Sequence, residues 1–493
     1  MIIVCFIITE TPAICFSDQV LGQWEISFSS PKTVKQPTEI KCKNQIYSYL
    51  TKKITLRAPN VAIDENGVYG TWTFAYTQAV QIVIDGLDIL WYVGYEYVQD
   101  GVFSYCSKSQ NSLGWAHSQG ISNKKHYCVK AKNIKPTISN TTNYYQYGQQ
   151  NMFKKSHKDL LKSQILSQST NYSGSSLPNS FDWRNVNGKS YIPEVFNQLY
   201  TCGSCYICAV LHMMMSRIMI KRNSPGVYPK LSIQQLIDCN FYSQGCNGGF
   251  PEQVGRYAEN FGITTEEIYG SYLSADAECK YIPDTEKYYF TATQLLGGYL
   301  GAVTDSTEIQ YEIFRYGPVA VSVMGDKLFN DYDPYGKPFQ PTETNSDHPE
   351  RHYFYSQQNH IVLLIGWITE EVEINGQKEN QTFWILHNSF GKTWGPNQDG
   401  TMKVIMGRNA YGIESQPVTT YYFDLEVKDT EVIIGKNKFI VSSIVLGVLC
   451  VIMFTVSVVF AFAYCQRDKR KAEISTQLNN TLFNSTQDQN VNQ

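Results

Sequence analysis

Positive charge is in no excess along this chain: 41 Lys and Arg stand against 44 Asp and Glu, for a formal net charge of -3. That balance excludes the basic footprint of a nucleic-acid-binding domain. Charged residues are scarce, 17% of 493 positions, while 43% are hydrophobic, so the chain is globular rather than disordered and long enough for two or three domains. No internal repeat is present. Between Phe439 and Cys465 there is no charge at all. Roughly 20 apolar residues cross a bilayer core, so one transmembrane helix is expected over 439–465. The basic cluster Arg467-Asp468-Lys469-Arg470-Lys471 and a polar tail, 466–493, then belong on the cytoplasmic side. At the other end, Met1–Thr9 lacks a basic n-region but is apolar and reads as a short secretory leader.

Thirteen cysteines are present. Cys5 lies in the leader, and Cys450 and Cys465 lie in the C-terminal apolar stretch, which leaves ten between them. Such usage suggests an oxidising compartment. If one cysteine is a nucleophile and one more stays reduced, eight remain for four bridges.

The run Cys202-Gly203-Ser204-Cys205-Tyr206 precedes an apolar segment of helical period, Ile207–Ile220. A thiol in the first turn of a helix sits at the positive end of the macrodipole, which favours thiolate. Downstream stand His360, in a strand-like run to Gly366, and Asn388, within Trp384–Gly391. Cysteine, histidine and asparagine in that order are the parts of a cysteine peptidase. Cys205 would attack and His360 would act as base and then acid. Asn388 would orient the imidazole. Gln198 and the Cys205 backbone N–H would hold the oxyanion. His387 is read as a surface residue, and Cys208, one turn after Cys205, as a buried, inert thiol. The chemistry calls for no metal.

Residues 10–133 read as many short strands with tight turns, a barrel or sandwich. Gln81–Ile84, Asp85-Gly86 and Leu87–Tyr97 form one hairpin signal, and Asp100-Gly101 marks another turn. Residues 134–176 are rich in Asn, Gln, Ser and Lys and read as a linker that could be clipped out. From Leu177 the pattern mixes helices (after Cys205, and Ser232–Cys239) with later strands at His360–Gly366, Thr382–Leu386 and Met402–Met406.

Leu177–Arg184, Asn197-Gln198, the Cys202–Tyr206 run, Gly245–Pro251 and Trp384–Trp394 together resemble the papain-like peptidases. The resemblance covers 177–425 and implies an α+β, two-lobed fold with the cleft between a helical and a β-rich half. Glu10–Cys15, Gly22–Trp24, Tyr105-Cys106 and Gly114-Trp115 resemble the exclusion domain of the cathepsin C (dipeptidyl peptidase I) family. That resemblance implies an antiparallel β-barrel over 10–133 that blocks the cleft. It also implies an N-terminal carboxylate, here Glu10, that captures the substrate's free amine, so that dipeptides are released. Further implications are bridges Cys15–Cys106, Cys42–Cys128, Cys202–Cys246 and Cys239–Cys279, and a substrate pocket at Phe250, Pro251 and Glu252.

Four departures from the family pattern carry expectations of their own. One extra residue between Gln198 and Cys205 must bulge at Leu199-Tyr200-Thr201. Phe390 replaces a tryptophan that shields the Asn–His hydrogen bond. Glu10 replaces an aspartate. Glu252 and Leu295 replace two tyrosines of a chloride site, so no chloride dependence is expected, and Glu252 could favour a basic second residue in substrates. Asn140, Asn171 and Asn380 are glycosylation acceptors if lumenal. The expected protein is a single-pass, lysosomal-type membrane peptidase acting on peptides with free N-termini, with a homo-oligomer open to it. An endopeptidase, or a catalytically dead membrane-bound binding protein, are the alternatives.

Overall fold

The computed structural model describes residues 15–137, 177–330 and 358–423, apart from short breaks, and Arg467, Lys469 and Arg470. The leader, Glu10, Asn140, Asn171, most of 134–176 and the stretch 439–465 lie outside the described residues. Among the described residues no helix is long and apolar enough to cross a membrane. Residues up to Phe423 make one compact unit.

Eight antiparallel strands come first: β1 (Gly22–Phe28), β2 (Leu50–Arg57), β3 (Val61–Asp64), β4 (Tyr69–Ala75), β5 (Ala79–Ile84), β6 (Leu87–Val98), β7 (Gly101–Ser118) and β8 (His126–Pro136). They close into a barrel because β1 pairs with β2 on one side and β8 on the other. Period-two patterning drives the closure: in β1 Trp24, Ile26 and Phe28 point inward and are fully buried between half-exposed neighbours. Trp24 and Trp91 meet inside at 4.9 Å between ring centroids. The β5–β6 turn places Asp85 and Gly86 at φ 50° and 68°, the left-handed pair that a tight hairpin needs.

The second domain begins at β9 (Phe181–Asp182) and is built around the helix Cys205–Arg222, followed by helices Ile233–Cys239, Pro251–Phe261 and Ser306–Tyr316. The first of these is buried at every position from Cys205 to Met219, as expected for a helix apolar all round. Its Arg217 is satisfied by Glu312 at 2.8 Å and by the carbonyls of Gly317, Pro318 and Thr420. Opposite stands a sheet of β10 (Tyr289–Leu295), β11 (Val319–Val323), β12 (His360–Ile374), β13 (Gln377–His387), β14 (Thr401–Ile405) and β15 (Val418–Phe423), in the order β10-β15-β11-β12-β13-β14, with β9 on β12.

The barrel docks on the helical side. Tyr92 donates to the Tyr242 carbonyl at 2.9 Å, and Trp115 packs against Phe241 and Tyr242. Asp88 pairs with Arg256, and Lys124 reaches Glu259 at 3.2 Å and Asn260 at 3.0 Å. The docking surface is therefore the 241–261 stretch, which also carries Phe250, Pro251 and Glu252.

Candidate active site

Cys205 is the first residue of the central helix, with Ser204 at the N-cap. The turn before it is pinned by the Cys202–Cys246 disulfide and by Gly203 N–H donating to the Cys246 carbonyl at 2.8 Å. No acidic residue occupies the first helical turn, so nothing there opposes a thiolate. As the leading helical residue, Cys205 has a backbone N–H with no partner inside the helix.

His360 opens β12 and Asn388 follows directly on β13, so the register of these two strands sets their meeting. His360 Nε2 lies 2.8 Å from Asn388 Oδ1. The same oxygen accepts the Ser389 backbone N–H at 2.8 Å, which fixes the orientation of the amide. His360 is fully buried, and its Nδ1 carries no hydrogen bond. That nitrogen is the one left for a proton from a thiol. Burial pushes the imidazole down to about 4, against the pull of Asn388 in the other direction. A Cβ at Gly325 would stand 2.6 Å from His360 Cβ, so only glycine lets that segment close over the ring.

Phe390 lies over His360 with centroids 5.0 Å apart and planes at 32°; Phe329 meets both rings at 5.3 and 5.5 Å, and Trp394 stands behind at 5.9 Å from Phe390. An aromatic lid over the histidine is thus kept without the tryptophan. Phe329 is a contributor that no sequence motif announces.

Gln198 is buried and held from both ends: its Oε1 accepts from Ser389 Oγ at 2.6 Å, and its backbone N–H donates to the Ser389 carbonyl at 2.9 Å. With Oε1 fixed, the amide nitrogen must face the other way, where it makes one long contact, 3.4 Å, to the Cys202 carbonyl. The extra residue leaves the chain outward: Leu199 takes a left-handed φ of 61°, and Leu199 and Tyr200 are 49% and 77% exposed. Ser389 thus links Asn388 to Gln198, a role that its place in the Asn-Ser-Phe motif only hints at.

Phe250 caps the helix Pro251–Phe261, whose first turn contains Glu252. Glu252 is 8% exposed, its Oε2 has no hydrogen-bond partner, and burial raises its carboxyl to about 7. Leu295 is buried at the end of β10. All four disulfides implied by the resemblance are present, with Cα separations of 5.6, 5.4, 4.4 and 4.8 Å in chain order. Cys205 and Cys208 are the described cysteines outside any bridge, and both are buried. Asn380 is exposed on β13. No cluster of three His, Cys, Asp or Glu is placed to hold a metal among the described residues.

His387 corrects the surface reading: it is 3% exposed, its ring 5.3 Å from that of His212 on the central helix. β13 is flanked by β12 and β14, and this end of it is pressed against the helix, so both its faces are covered. Strand alternation offers no solvent side here. Burial pushes His387 down to about 4 and His212 to about 3.

A nucleophile-bearing helix, a buried His–Asn pair on facing strands and a fixed amide beside them define a cysteine peptidase. Residues 177–421 match the model of the papain family of cysteine proteases, and residues 10–133 match that of the cathepsin C exclusion domain. The chain belongs to the papain family. Among similar proteins, a cathepsin C of Schistosoma mansoni is 27% identical over 83% of this chain and 94% of its own length. A dipeptidyl aminopeptidase 1 of Plasmodium falciparum is 28% identical over 49% of this chain, which spans 44% of that protein. Human cathepsin L2 is 30% identical over 47% of this chain and 62% of its own length.

Proposed function

We propose that this peptidase removes dipeptides from free peptide N-termini. In this reading Cys205 passes its thiol proton to His360 and attacks the second peptide carbonyl as thiolate, His360 hands that proton to the departing amine, and water then releases the dipeptide from the acyl-enzyme with His360 as base. Asn388 holds the imidazole in one tautomer. The Cys205 N–H and the Gln198 amide nitrogen receive the oxyanion. The observation that carries the reading is the seat of the barrel: it rests on the 241–261 stretch that bears Phe250, Pro251 and Glu252. A wall placed there shortens the cleft. Glu10 stands five residues before Cys15, which is bridged to β7 at Cys106, and in this reading its carboxylate would receive the substrate's amine. A blocked amine would leave that carboxylate unpaired.

The test is a dipeptidyl reporter offered with a free and with an acetylated amine. Cleavage of the free compound alone, abolished by Cys205→Ser, is the expected result. Equal cleavage of both would establish an endopeptidase, and the absence of cleavage and of labelling by a thiol-directed epoxide would establish a binding protein.

Four further features belong to the same proposal. In this reading the enzyme is activated by cutting within 134–176. Glu252 and Leu295 leave no donor pair for chloride, so adding chloride to dialysed enzyme should leave its rate unchanged. A carboxyl at about 7 is neutral in acid, so a basic preference at the pocket should emerge only as the pH rises past 7 and vanish in Glu252→Gln. The uncharged 439–465 stretch would anchor the enzyme once in a lysosomal or secretory membrane, with Asn380 glycosylated on the lumenal side; retention in carbonate-washed membranes tests this.

A further inference from the structure

Beyond Cys205, the central helix carries a second thiol that the proposed hydrolysis does not use. Cys208 follows three residues later, and the sequence Cys205-Tyr206-Ile207-Cys208 occupies the first helical turn. Helical geometry puts Cα atoms at that spacing about 5 Å apart, inside the roughly 4.4–6.8 Å window of disulfides. The four native bridges of this protein span 4.4 to 5.6 Å.

Two local features favour closure of such a bond. The Ser204 carbonyl accepts from both Ile207 N and Cys208 N, each at 3.0 Å, so the first turn is shared between 3₁₀ and α geometry. A turn of 3₁₀ character draws residues three apart into line. Side chains on a helix also lean toward its N-terminus, and Cys208 Sγ lies 3.9 Å from Ser204 Oγ, the residue just before Cys205. On its other side Cys208 borders a narrow space lined by Ile361, Leu363, His212 and His387. The other eight described cysteines are already bridged, which leaves this pair for exchange.

We infer that Cys208 is a resolving thiol: it converts Cys205, once oxidised by a hydroperoxide, into a reversible Cys205–Cys208 disulfide. The inference rests on Cys205 being the nucleophile. In the first step the Cys205 thiolate attacks one peroxide oxygen. An S–O bond forms, the O–O bond breaks, and the hydroperoxide leaves as its alcohol, or as water from hydrogen peroxide, after taking up a proton. In the second step Cys208 sulfur attacks the sulfenic sulfur. The S–S bond forms, the S–O bond breaks, and hydroxide leaves as water with the Cys208 proton. Two thiols are oxidised and one hydroperoxide is reduced. A dithiol restores both thiols. Without Cys208 the sulfenic acid would proceed to the sulfinic state, which a dithiol does not reverse.

The experiment uses the active enzyme, inactivated with hydrogen peroxide, then treated with dithiothreitol, with peptide mapping at each stage. We expect a crosslinked Cys205–Cys208 peptide lighter by two hydrogens, and return of most activity. Cys208→Ala and Cys208→Ser should show several-fold lower recovery, with sulfinate on Cys205. If wild-type enzyme that is active beforehand is inactivated without that crosslink, or if the Cys208 variants recover equally well, the inference is overturned. The crosslink is read on wild-type protein, so a variant that fails to fold does not decide the outcome. A wild-type enzyme inactive before peroxide would instead sink the proposed function.

Discussion

Glu252 and the buried histidines titrate in opposite senses, and each sign can be measured. The folded Glu252 carboxyl lies at about 7 against an ordinary value of 4.5, because its burial penalises the charged form. The folded state therefore keeps a proton that the unfolded chain releases. This contribution to stability is complete below 4.5 and disappears as the pH rises through 7, a loss on the order of 3 kcal/mol. Glu252→Gln should raise the melting temperature at pH 8 and leave it nearly unchanged at pH 4.5; equal melting curves at pH 8 would refute the burial argument. Gln198 offers a kinetic counterpart. Its amide is oriented by Ser389, so Gln198→Ala should lower kcat about 10²–10³-fold with KM little changed, the usual loss for an oxyanion donor. A change confined to KM would show that the amide binds substrate and not the transition state. At this scale the sequence was informative wherever a residue's chemistry is unusual for its setting. Cys205, His360 and Asn388 stood out by type and order. His387 did not, because a histidine at a strand end reads as exposed until the helix covering that strand is known. Ser389 and Phe329 carried no distinctive pattern either, since a serine and a phenylalanine are unremarkable anywhere in a chain.

Strands and hairpins were legible in the sequence because their period is local. Asp85-Gly86 marked its turn, and in the structure β1 shows the same local period, alternating buried and half-buried positions. The local period left barrel and sandwich both open, since the β1–β8 pairing joins residues more than a hundred positions apart; the family resemblance implied the barrel, and the strands close into one. The docking of barrel on helix was hidden. It depends on Asp88 meeting Arg256, two charges 168 positions apart with no motif of their own. Arg256 is 3% exposed and pairs with Asp88, while the His117 ring, held neutral by burial, has its Nε2 3.6 Å from the same carboxylate. Breaking a buried pair by removing one partner costs roughly 3–5 kcal/mol. Asp88→Ala should therefore loosen the barrel and admit N-acetylated substrates that, on the proposed function, the intact enzyme refuses. Undiminished discrimination in a folded Asp88→Ala protein would show that this ion pair does not hold the wall in place.

For the whole molecule, the same burial makes acid a stress. His117, His126, His212, His360 and His387 are all held neutral by burial, with folded values lowered from 6.5, to about 4 at His126, His360 and His387 and about 3 at His212. The unfolded chain takes up those protons first, so their contribution to stability is whole above 6.5 and is lost as the pH falls toward 4. Glu252 runs the other way and recovers part of that loss. Cleavage is then divided between two domains. In the proposed reading the helix and sheet present the reacting atoms, and the barrel limits how much peptide passes them. The most direct measurement of that division is mass spectrometry of a long peptide digested by the activated enzyme. A free N-terminus should yield a ladder shortened by two residues at each step, and the N-acetylated twin should remain whole. Internal fragments from both peptides would contradict the account.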